Sequence, residues 1–80
     1  MESGYKHIIE YAAVLKREII ENYEAALRDE RLQHLFMETV NVQRIKLSGL
    51  CELAERVYNV PEQAFDEDLE AELHILQRVA

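Results

Sequence analysis

The sequence predicts an all-α protein: a long antiparallel helical hairpin with a third, C-terminal helix, dimerising into a helical bundle. Three observations carry that expectation. Apolar residues recur at helical spacing through two long stretches. Two glycines and one proline in 80 residues are too few for a chain built of strands and tight turns. Leu, Glu, Ala and Arg, all good helix formers, are abundant.

The first helix is expected over about 4–28. On a wheel of 100° per residue, Tyr5, Ile8, Ile9, Ala12, Leu15, Ile19, Ile20, Tyr23, Ala26 and Leu27 fall within an arc of roughly 60–200°. Glu10, Arg17, Glu21, Glu24 and Arg28 lie opposite, and Ser3 is a candidate N-cap. The second helix is expected over about 31–58. Its apolar set, including Leu35, Phe36, Val40, Val42, Leu47, Leu50, Leu53, Ala54, Val57 and Tyr58, runs from roughly 240° round to 40° on the same wheel. The face has moved by nearly half a turn, which one straight helix with a single dry side cannot accommodate. A break therefore falls at Arg28–Arg31, with Asp29 as the cap of the second helix. The alternative is one very long helix with partners on both sides.

Gly49 lies inside the second helix, where it costs about 1 kcal/mol against alanine and implies a close backbone approach or a bend. Asn59-Val60-Pro61 ends that helix, because proline pushes the preceding residue out of the α region. Pro61 then opens a third helix over about 61–79, with Phe65, Leu69, Leu73, Leu76 and Val79 as a narrow stripe. Glu62, Asp66, Glu67 and Asp68 near its start and Arg78 near its end complement the helix dipole.

A chain of 80 residues buries only roughly 60% of its unfolded surface, so a lone core is marginal. The single Cys51 excludes an internal disulfide and fits a reducing, cytoplasmic setting. Met1–Tyr11 has no apolar run of signal-peptide length, and no segment approaches a membrane span. Self-association or docking on another protein is then the expected source of extra stability, and arcs this wide point to a two-fold dimer. The net charge is −7. Residues 1–60 carry ten acids and eight bases, whereas residues 61–80 carry six acids and one base. An acidic chain is poorly suited to the phosphate backbone, so no nucleic acid is expected as partner, and no membrane. The acidic C-terminal stretch suits a partner with a basic surface, or is simply a solvated helix start.

No Ser/His/Asp grouping and no glycine-rich phosphate loop is present, so no catalytic residue is assigned and the chain is expected not to be an enzyme. Cys51 sits beside Glu52 and Glu55, the wrong charge for activating a thiol. His7, His34 and His74 are scattered, each near an acid: His7/Glu10, Glu30/His34 and Glu70/His74. Such pairs stabilise a surface helix as readily as they begin a metal site, and neither cofactor nor metal is expected.

Lys16, Gln43 and Lys46 are polar residues at apolar positions. A turn centred near residue 29–30 puts Lys16 level with Gln43 and one turn from Lys46, as a polar layer that sets the hairpin's register or as lysines reaching out at the rim. The spacing resembles a ferritin-like helical hairpin, in which a Glu, a Tyr seven residues later and an ExxH on the next helix hold metal. Here those places read Lys16, Tyr23, Gln43 and Lys46; only Tyr23 fits, and the resemblance implies a fold without iron chemistry. Leu50–Phe65 also resembles the rhythm of a helix-turn-helix, but its groove-entering segment would be the acidic Glu62–Glu72.

The expected function is a small non-catalytic protein–protein interaction module: a regulator, adaptor or chaperone-like subunit. A helical metal- or ligand-binding protein is the alternative, and a transcription regulator the third reading. The C-terminal helix is expected to face the partner. Phe65, Leu69, Leu73 and Leu76 would be its anchors, flanked by Asp66, Glu67 and Asp68, unless the same stripe seals the hairpin core.

Overall fold

A computed structural model describes residues 3–79, with side chains through Arg78, so the placement of Val79 in the stripe lies outside what it shows. Three helices follow one another: α1 (Ser3–Arg28), α2 (Gln33–Tyr58) and α3 (Glu62–Val79). No strand occurs among the described residues. Ser3, expected as a cap, is itself helical and is the first of the described residues.

The break between α1 and α2 lies where the apolar face changes direction, but its chemistry differs from the expectation. Asp29 does not cap α2, which starts two residues later than the sequence suggested. Its carboxylate instead accepts the amide of Arg31 at 3.1 Å, and its carbonyl accepts that of Leu32 at 3.3 Å. The residue at the N-cap is Leu32, which supplies no side-chain bond. An aspartate can fold the backbone onto its own side chain, and this local turn competes with capping.

The exit from α2 follows the sequence closely. Asn59 takes the left-handed conformation, with φ 55° and ψ 35°, and its amide bonds the Glu55 carbonyl at 3.1 Å. Val60 bonds the Ala54 carbonyl at 3.3 Å. Asparagine tolerates this region better than other residues with a side chain, and Pro61 cannot continue the helix. Pro61 precedes α3, and its carbonyl accepts the Phe65 amide at 3.0 Å.

α1 is the shared element. It contributes Tyr5, Ile9, Ala12, Ala13, Leu15 and Ala26 to the interior, against Val40 and Ala54 from α2 and Phe65, Leu69 and Leu73 from α3. The main cluster gathers Tyr5, Ile9, Ala12, Ala13, Ala54, Phe65 and Leu69, with Leu47, Leu50, Cys51 and Tyr58 packed against it. Alanines at the contacts let helix axes approach closely, and Phe65, only 1% exposed, supplies the bulk. The Tyr5 and Tyr58 rings lie 6.0 Å apart and tilted by 55°, tying the start of α1 to the end of α2. A Cβ at Gly4 would run into the Tyr58 hydroxyl, so glycine there makes room for that contact.

Candidate interaction surface

The positions singled out in the sequence are distributed differently from the expectation. Lys16 does not meet Gln43. The Lys16 ammonium pairs with Glu70 of α3. Gln43 accepts a hydrogen bond from Asn22 at 3.1 Å and donates one to Glu18 at 3.1 Å. Lys46 is exposed and shares a groove with Tyr11, Val14, Glu18 and Gln43, whereas Lys16 lines a separate groove. No polar or charged side chain is buried among the described residues. The expected polar layer is thus replaced by polar contacts at the edges of the helix packing. The later start of α2 moves Gln43 toward Asn22, and α3 offers Lys16 a carboxylate of its own.

Of the four residues in the metal-binding pattern of ferritin-like hairpins, Tyr23 lies apart. It lines a groove with Ile19, Ile20, Leu27 and Val40, to which Lys16, Gln43 and Lys46 do not contribute. His7 stands 3.5 Å from Glu10; His34 pairs at 3.0 Å with Glu38 rather than Glu30; Glu70 is engaged by Lys16. No three of His, Cys, Asp and Glu converge among the described residues.

Cys51 is half-buried on an open groove lined by Glu52, Glu55, Glu62, Phe65 and Asp66. Burial, then the charges of Glu62, Asp66 and Glu55, push the thiol above its ordinary range, so it is held in its less nucleophilic form.

The seam expected to be offered to a partner is occupied within the chain. Phe65, Leu69 and Leu73 are buried, and Leu76 is half-buried. Asp68 accepts a 2.6 Å hydrogen bond from the Tyr5 hydroxyl. Only Asp66 and Glu67 of the acidic flank stand in solvent. The surface left open belongs to α2, whose wide apolar arc was expected to exceed what one neighbouring helix covers; Ile45, the most exposed residue on it, was not part of that arc as read from the sequence. Leu35, Val42, Ile45, Leu53 and Val57 are exposed by 45–72%. They share a flank at roughly 180–300° on the wheel, while Val40, Leu47 and Ala54, at roughly 0–40°, face the interior. The width of the apolar arc on α2 was the available signal, because α1 covers one side of it. A second open patch is formed at the end of α1 by Ile20, Tyr23 and Leu27.

No described helix is long and apolar enough to cross a membrane. Comparison with protein-family models, with curated proteins and with solved structures found no match to the chain.

Proposed function

We propose that the chain is a small non-catalytic protein–protein interaction module that works by helix-to-helix packing. The observation that carries this reading is the outer face of α2, where five large aliphatic side chains stand in solvent along one helix. Large apolar side chains gathered on one flank of a helix, rather than scattered singly over the surface, support a site of association. Partner helices laid against it would take the place of water, with residues spaced about one helical turn apart as anchors. In this reading the hairpin is antiparallel, supported by the Tyr5–Tyr58 and Asn22–Gln43 contacts. The setting is cytoplasmic and reducing, supported by the lone thiol. A role as regulator, adaptor or chaperone-like subunit follows from binding without chemistry.

Photo-crosslinking in the native source tests it. A photoreactive residue placed at Val42, Leu53 or Tyr23 should give protein adducts, to this chain or another, and one placed at the exposed Gln77 should not. Absence of a protein adduct from all three apolar positions would overturn the reading.

A further inference from the structure

We infer that the outer face of α2 is a two-fold interface between two copies of this chain, its axis passing beside the level of Leu47; the inference rests on the interaction-module reading and names its partner.

Gly49 lies in the middle of the exposed flank, and a Cβ built there would meet nothing within 4 Å. Nothing among the described residues therefore requires glycine at this helical position. A second helix backbone pressed against the flank would require it.

The order of residues along the flank fits that second helix being another α2 running the opposite way. In a two-fold pairing of helices, residues equidistant from the axis face each other, and the same flank of each helix meets its copy. Ile45 and Gly49 lie two positions either side of residue 47. Ile45 is the most exposed of the large apolar side chains, at 72%, and it would seat in the notch left by the partner's Gly49. Val42, five positions before that level, would lie beside the partner's Leu53, six positions after it.

Glu38 and Arg56 lie nine positions either side of the same level, and both fall at roughly 200° on the wheel. Each would face the other's opposite charge, twice per dimer. Arg56 already pairs with Glu52 at 2.6 Å, so the partner's Glu38 would add a second carboxylate to the same guanidinium. The other charge near the axis is Lys46, which falls at roughly 280°, within the flank on the side away from Glu38 and Arg56. There two copies bring like charges together, with Glu18 in the same groove to offset them and a long stem to carry the ammonium outward. A face that is self-complementary in knob, notch and charge selects a second copy over an unrelated helix.

Charge reversal on the full chain tests the pairing. Circular dichroism first establishes that helicity is unchanged. Glu38→Arg and Arg56→Glu should each weaken self-association at least about tenfold in sedimentation equilibrium. Mixed in equal amounts, the two variants should recover it, because only the mixed dimer satisfies both pairs; native mass spectrometry should show that species in excess of either homodimer. Gly49→Leu should abolish the dimer. The inference is overturned if the unaltered chain stays at 9.4 kDa up to on the order of 100 µM, or if the charge variants associate like the parent. It is equally overturned if their mixture shows no preference. A dimer indifferent to these changes leaves the interaction-module reading standing and moves the interface to Ile20, Tyr23 and Leu27. Failure of that reading appears separately, as an absence of adducts in the crosslinking experiment.

Discussion

Tyr5 is nearly buried, and its hydroxyl gives its proton's hydrogen bond to a carboxylate 63 residues away. Burial first, then the bond and charge of Asp68, hold the phenol well above its ordinary pKa of 10.0. The folded chain therefore keeps this proton where the unfolded chain loses it. The resulting stability is complete below pH 10 and is given up as pH rises beyond that value. Tyr5→Phe should cost about 1–2 kcal/mol in urea unfolding at pH 7. It should also flatten the decline in stability that the parent shows above pH 10. An unchanged midpoint at pH 7 would mean that Asp68 finds an equal partner in water. Neither Tyr5 nor Asp68 stood out as one of a pair in the sequence, because a contact between the two ends of a chain leaves no trace in local periodicity.

At the scale of the element, the ends of helices were more legible than their faces. Pro61 and Asn59 marked the exit from α2, and the structure gives the physical reason in the positive φ of Asn59. Asn59→Ala should cost about 1 kcal/mol by thermal or urea unfolding, and Asn59→Gly should be neutral or better; equal stability of all three would show that the left-handed cap is dispensable. The entry to α2 was less legible, because aspartate is equally suited to a cap and to a tight turn, and Asp29 takes the turn. Faces misled for a different reason. Sequence width ranks helices by how much apolar surface they carry, whereas packing depends on shape. The narrow stripe of α3 consists of large side chains spaced to drop between the alanines of α1, and Phe65 and Leu69 are buried there. The broad stripe of α2 packs mainly against α1, and to a lesser extent against α3, along its inner edge, and its outer edge stays open. Lys16 and Gln43, polar residues on apolar arcs, both reach polar partners at the margin rather than each other.

For the molecule as a whole, the arrangement makes α3 part of the core rather than an appendage. Its Phe65 and Leu69 close the cluster around Tyr5, Ile9 and Ala12. Losing one buried aromatic costs about 3–5 kcal/mol, a large fraction of the stability of a small domain. A fragment of residues 1–60 should therefore lose cooperative unfolding and expose apolar surface to a dye such as ANS. A cooperative melt of that fragment would show that α1 and α2 suffice. The main cluster also has a direction in time. Ribosomes make Tyr5 and Ile9 long before Phe65 and Leu69, and a chain growing from its N-terminus cannot cover the first pair until the second has been made. Until α3 has been made, α1 carries an open seam at Tyr5 and Ile9 that the folded chain conceals, and this is apolar surface that only the nascent chain offers to misassociation and to chaperones.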